Sequence, residues 1–232
     1  MKTQQAESYY HGEGVGEFYN AHNYGSGLSG WVLRNSHAVL ESEFSKDVEF
    51  PRVAEVGAGT GVHFGYVRHR FQDYVMTDAS AVMLEQAQAR SYAVPPGSQL
   101  RFELQDATKL TWEDAAFDRL IAAHSLEHIP APQLVLAEWW RVLKPGGVLS
   151  LLLPCDPGVM WRLGRSFGPR QKAEKAGLAY DYSMALEHIN AINGLRAIIR
   201  YKYADQKKRE TWWPFPFASI DLNLIYCVNI RK

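Results

Sequence analysis

From Arg52 to Pro154 the chain alternates short apolar or β-branched runs with stretches of helical periodicity. The runs Arg52–Val56, Tyr74–Thr77, Leu100–Leu104, Arg119–Ala122 and Val148–Leu153 read as strands. Between them Val62–Phe71, Ala81–Tyr92 and Pro132–Leu143 read as helices. Strands that alternate with helices in this way build βαβ units, hence a doubly wound α/β sheet with helices on both faces. Two more strands are expected at Leu195–Tyr203 and Leu222–Ile230, with "DQKKRETWWPFPFAS" as a long hairpin loop between them.

This pattern divides the chain. Residues 1–49 form an aromatic, Gly-rich cap segment that turns helical at Val32–Phe44. Residues 50–232 form the α/β domain, with a partly helical, basic insert at about 155–193. At 232 residues there is enough chain for one such domain with a substantial core.

The first strand runs into "VAEVGAGTG", with glycines at Gly57, Gly59 and Gly61. A strand that breaks into such a turn holds a ligand against bare backbone. A nicotinamide dinucleotide, a phosphate and S-adenosylmethionine are the candidate guests. The dinucleotide fingerprint spaces its glycines G-x-G-x-x-G, so the third glycine here comes one residue early. Glu55 precedes the turn, where a carboxylate would repel a pyrophosphate but suits an ammonium or sulfonium. Asp78 ends the second strand in "YVMTDAS" and can accept both hydroxyls of a ribose. Asp106 ends the third in "FELQDAT" and can accept from an adenine amino group, with the Ala107 amide donating beside it. Taken singly, these acids are also an ordinary surface charge, a neighbour of the helix cap Ser80 and a turn former.

In order and spacing, "VAEVGAGTG", "MTDAS", "QDAT", "FDRLIAAHSLEHIP" and "RVLKPGGVLSLLLP" resemble the motifs of the Rossmann-like, seven-stranded S-adenosylmethionine-dependent methyltransferases. The resemblance covers about residues 50–154. It implies a seven-stranded, mostly parallel sheet with the last strand antiparallel. It also implies a methyltransferase using S-adenosyl-L-methionine as cofactor, contacted by Glu55, Gly57, Ala58, Gly59, Gly61, Asp78, Ala79, Asp106, Ala107 and the backbone near His124.

Methyl transfer to an oxygen or nitrogen needs a general base only if the acceptor keeps its proton. "AAHSLEHIPAP" lies at the end of the fourth strand and offers His124, Glu127 and His128. His128 and Glu127 are the candidate catalytic pair, histidine being the group that titrates near neutrality. The bland alternative is that Glu127 favours a helix start and His128 packs. Cys155 follows the fifth strand without the rest of a cysteine-nucleophile motif, and reads as an incidental buried thiol.

The expected acceptor is a small molecule. The insert carries Arg162, Arg165, Arg170, Lys172 and Lys175 against Glu174, which raises an anionic sugar, phosphate or lipid precursor. Tyr180, Tyr182 and His188 would touch it if the insert covers the crevice, and N-terminal aromatics from Tyr9 to Tyr24 would close over the cofactor. RNA or protein is the alternative acceptor, and a nicotinamide oxidoreductase the weaker one. Zero formal net charge argues against nucleic acid. "TWWPFPFAS" stays open between a homodimer contact, a hydrophobic substrate wall and a membrane-surface touch. Cys155 and Cys227, the only cysteines, have no metal-ligand spacing, so no metal is expected. With no apolar leader core and no run long enough to span a membrane, a cytoplasmic setting is expected.

Overall fold

In the computed structural model, which describes residues 27–175, 177 and 179–232, the alternating runs become strands of one sheet. Helix α1 is Leu28–Glu41. There follow β1 Arg52–Val56, β2 Asp73–Asp78, α2 Ala81–Gln88, β3 Gln99–Leu104, β4 Phe117–Ala123, α3 Pro132–Val142 and β5 Leu143–Pro154. The insert folds as α4 Val159–Ser166, α5 Pro169–Lys175 and α6 Tyr180–Glu187, and α7 Ile192–Lys202, β6 Lys207–Trp213 and β7 Ile225–Arg231 follow. The seven strands lie in the order β3-β2-β1-β4-β5-β7-β6, all parallel except β7. Ligand crevices in such sheets lie beyond the carboxyl ends of the strands, where the order reverses between β1 and β4.

The sheet is as expected, but three elements differ from the sequence reading. Leu195–Tyr203, expected as a strand, lies mostly in helix α7, because Leu195 and Ile199 are buried on one helical face with Ile192. The sixth strand is instead Lys207–Trp213, inside the expected hairpin loop. It lies at the sheet edge, where charged side chains are tolerated and hydrophobic alternation fades. Its Glu210 receives Arg200 of α7, at 3.0 Å, so the basic residues of that run face a carboxylate as well as water. After the glycine turn a single 3-10 turn, His63–Tyr66, stands where a long helix was expected.

Two apolar clusters cover the faces of the sheet. One joins β4, β5 and β7 to α3 and α7 through Trp139, Leu136, Leu195 and Tyr203. The other packs Leu40, Phe44, Phe50, Phe64 and Tyr74 against the opposite face. Inside the second lies a fully buried ion pair. Arg119 of β4 places Nη2 2.7 Å from Glu41 Oε1. Its Nη1 donates to Oε2 at 3.0 Å, and its Nε donates to Ser150 at 2.9 Å. The guanidinium also stacks 4.1 Å from the Phe44 ring.

Burial pushes the Glu41 carboxyl up, but Arg119 and a hydrogen bond from His63 outweigh it and hold it far below the ordinary carboxylate value. A carboxylate depressed in the native state contributes stability above its unfolded pKa, and the contribution is lost as pH falls toward the folded one. Glu41→Ala is expected to lower the unfolding free energy in urea by about 3–5 kcal/mol, because it leaves Arg119 buried without a counter-charge. Glu41→Gln is expected to flatten the loss of stability below about pH 4.5, where the wild-type carboxylate starts to bind protons on unfolding. A shift below 1 kcal/mol for Glu41→Ala would mean the pair is dispensable.

Candidate active site

The carboxyl ends of β1, β2, β3 and β4 surround a cavity of about 600 Å³. The glycine turn forms its floor. Gly57 has φ +68° and its hydrogen faces Ser125, so any side chain would strike that residue. Gly59 has φ +55° with open space where a side chain would stand. A backbone left bare on the cavity side admits a ligand against its amides. Gly61 does not line the cavity; it packs against Tyr92 and Met76 behind the turn, so its need for glycine is one of packing.

Asp78 fastens this turn. Its Oδ2 accepts from Gly59 N–H at 2.8 Å and its Oδ1 from Ser80 N–H at 2.9 Å. Burial raises its pKa, with these backbone donors opposing. Each carboxylate oxygen retains a lone pair for a ligand hydroxyl. Glu55 is buried at the cavity wall and accepts from the Tyr74 hydroxyl at 2.7 Å. Burial also raises its pKa. Asp106 is exposed at the rim, where Oδ1 accepts from the Thr108 amide at 2.8 Å and hydroxyl at 2.7 Å. The turn-forming reading of Asp106 therefore holds alongside its position at the cavity. Ala58, Ala79, Ala107 and His124 also line the cavity.

At the end of β4 the backbone turns through His124, with φ +56°. The 3-10 turn Leu126–His128 carries Glu127 inward and His128 to the cavity. His128 Nδ1 donates to the Glu187 carbonyl at 2.9 Å, which leaves its Nε2 with the lone pair. That nitrogen lies 3.8 Å from Glu127 Oε1, and His124 Nδ1 lies 3.6 Å from the same oxygen. Burial lowers the His128 pKa, the Glu127 charge opposing. Burial raises that of Glu127, but His124 and His128 outweigh it and leave the carboxyl below its ordinary value. Glu127 itself does not line the cavity.

The insert is stapled to this turn by Asn190. Its Nδ2 donates to the Leu126 and Ile129 carbonyls at 3.0 and 2.7 Å, and its N–H to that of Glu127 at 3.0 Å. From the insert Leu186 and Glu187 reach the cavity; Tyr180, Tyr182 and His188 do not. Tyr180 accepts from Arg165, and His188 pairs with Asp156 at 2.8 Å. None of Arg162, Arg165, Arg170, Lys172 and Lys175 lines the cavity. Cys155 is buried off the cavity, with its thiol pushed up to about 12 by burial. The N-terminal aromatics and the first part of the cap segment lie outside the described residues.

Sequence reasoning missed a group of cavity residues. His37 of α1 and His63 of the 3-10 turn both line it. Glu41 Oε1 accepts from His63 Nε2 at 3.1 Å, so His63 Nδ1 accepts from His37 Nδ1 at 3.1 Å. Ser36 Oγ lies 3.0 Å from His124 Nε2. One signal was present: His37 and Glu41 stand four apart, on the stripe that also carries Leu40 and Phe44. Among the described residues no group of side chains has the arrangement of a metal site. No described helix is long and apolar enough to cross a membrane.

Residues 54–151 match a family model described as a methyltransferase domain. A phosphatidylethanolamine N-methyltransferase of Cereibacter sphaeroides is 28% identical over 157 residues, 67% of this chain and 72% of that protein. A trans-aconitate 2-methyltransferase of Deinococcus radiodurans is 32% identical over 109 residues, 46% of this chain but 39% of the relative. The chain thus spans less than half the length of the first curated relatives it matches. Among solved structures, the plantazolicin methyltransferase BpumL with a desmethyl analogue and SAH superposes with a TM-score of 0.68 over 100% of this chain and 96% of that one, at 11% identity. A possible histamine N-methyltransferase of Thermotoga maritima gives 0.58 over 94% and 96%, at 16% identity. At such identities the likeness is one of fold. Residues 54–151 are thus similar to a methyltransferase domain, in agreement with the glycine turn and the strand-end carboxylates, and the fold is the one seen in solved S-adenosylmethionine-dependent methyltransferases.

Proposed function

We propose that this chain transfers the methyl group of S-adenosylmethionine to an oxygen or nitrogen of a small molecule. The observation that carries this is the convergence of Gly59, Asp78 and Glu55 on one cavity, beside an imidazole at the end of β4. The residues fit the cofactor: Gly59 leaves room beside its backbone, Asp78 has lone pairs for a ribose, and Glu55 places negative charge near a sulfonium. When bound, the cofactor supplies an activated methyl group. The protein holds the acceptor in line with it and keeps water out.

His128 is the base in this reading. Its Nδ1–H is held by the Glu187 carbonyl, so Nε2 is the atom that takes the acceptor's proton. Glu127 then faces the resulting imidazolium from 3.8 Å and stabilises it. The cations of the insert lie off the cavity, so an anionic acceptor draws no support from them. The apolar side chains of Ile129, Pro130 and Leu186 along the cavity lining favour an acceptor with an apolar body.

Four outcomes are expected. With methyl-labelled cofactor, the protein transfers label to an acceptor in a metabolite and lipid extract; an extract left unlabelled at any pH contradicts the proposal. Asp78→Asn weakens S-adenosylhomocysteine binding by about 1.5–3 kcal/mol in calorimetry, through loss of charge-assisted hydrogen bonds to the ribose. The rate falls on acidification as His128 is protonated, with the midpoint below the ordinary histidine value of 6.5. Glu127→Gln removes the charge that raises this pKa, so the midpoint moves to lower pH while kcat falls. A rate indifferent to His128→Gln would leave positioning alone as the protein's contribution.

A further inference from the structure

Helix α4 is mounted with its apolar side outward. Val159, Leu163 and Phe167 recur every fourth residue with Met160 beside them, and stand 42%, 45%, 77% and 39% exposed, respectively. The inward side carries Trp161, packed on the core, and Arg165, ion-paired to Asp156 at 2.8 Å. A surface helix of a water-soluble face shows the reverse arrangement. The apolar face continues onto the loop between β6 and β7. The Val159 and Met160 amides donate to Asp221 at 3.2 and 2.9 Å, and Phe215, Phe217 and Leu222 of this loop are exposed as well.

This surface lies at the cavity's end of the sheet. Ile225 stands opposite both Pro154 and Trp213, so the insert and the loop leave the sheet together beyond the carboxyl end of β5. Leu186 of α6 is exposed and lines the cavity, which places the cavity mouth at the same rim. The flank is cationic. Residues 159–175 hold Arg162, Arg165, Arg170, Lys172 and Lys175 against Glu174 alone. Among the described residues, Arg162, Lys172 and Lys175 have no ion-pair partner.

We propose that this rim docks onto the surface of an anionic lipid bilayer, with the cavity mouth turned toward the lipid. An exposed apolar helix face flanked by cations is the chemistry of an interfacial helix: the apolar side chains enter the headgroup boundary and the cations meet the anionic lipid. A symmetric dimer through the same patch would set these cations against their own copies. Resting on the methyltransferase reading, the acceptor is then an amphiphile held in that layer.

The test is co-sedimentation of the full chain with vesicles of phosphatidylcholine alone or mixed with phosphatidylglycerol, at low and high salt. The protein is expected to bind the mixed vesicles, more weakly in high salt, and Leu163→Ser/Phe167→Ser to weaken binding by at least about tenfold. Both positions are exposed, so S-adenosylhomocysteine affinity should be retained, and that measurement reports separately on the methyltransferase reading. No association with anionic vesicles, or binding unaffected by the double substitution, would overturn the proposal. So would concentration-dependent dimerisation, or capture of an acidic protein, that the double substitution abolishes while vesicle binding is unchanged.

Discussion

The buried pair of Arg119 and Glu41 is the contact through which helix α1 becomes part of the site. Arg119 belongs to β4, at the middle of the sheet, and Glu41 to the last turn of α1. Both side chains are fully withdrawn from water, so neither can be satisfied except by the other and by its fixed neighbours. The pair holds α1 across the sheet and brings His37 to the cavity wall and Ser36 to His124. It also fixes protons. An ionised Glu41 takes the Nε2–H of His63, and His63 takes the Nδ1–H of His37, so one charge sets two tautomers in the wall of the cavity.

A similar economy governs the cofactor end. Asp78 ties the glycine turn after β1 to the start of α2 through two backbone amides. The turn is therefore preorganised, and binding does not have to order it. The end of the cavity beside β4 is assembled from later chain. Asn190 pins the insert to the turn after β4, and the Glu187 carbonyl orients His128. The half of the site expected to hold the donor thus sits on strand ends, while the other half depends on the insert.

Much of this was legible in the sequence for a physical reason. Parallel strands buried on both faces leave near-continuous apolar runs, as β1, β2, β4 and β5 show, while the edge strand β3 shows the alternation of Leu100, Phe102 and Leu104 with polar residues. Asp78 and Glu55 could be placed because ligand crevices in such sheets lie at strand ends. The edge strand Lys207–Trp213 was hidden because its exposed positions are charged. Helix α7 was misread because Ile198 and Ile199 are adjacent and β-branched, although Leu195 and Ile199 already marked a helical spacing. His37 and His63 were missed because their role exists only in three dimensions: they are 26 residues apart and no local motif joins them. Gly61 fitted the motif but serves the packing of Tyr92 and Met76.

The central claim is that the cavity at the glycine turn takes the adenosyl and amino-acid parts of S-adenosylmethionine rather than a dinucleotide. Calorimetric titration with S-adenosylhomocysteine and, separately, with NADH tests this without knowledge of the acceptor. The account predicts saturable one-to-one binding of S-adenosylhomocysteine and no heat of binding with NADH. Saturable binding of NADH with none of S-adenosylhomocysteine would contradict it.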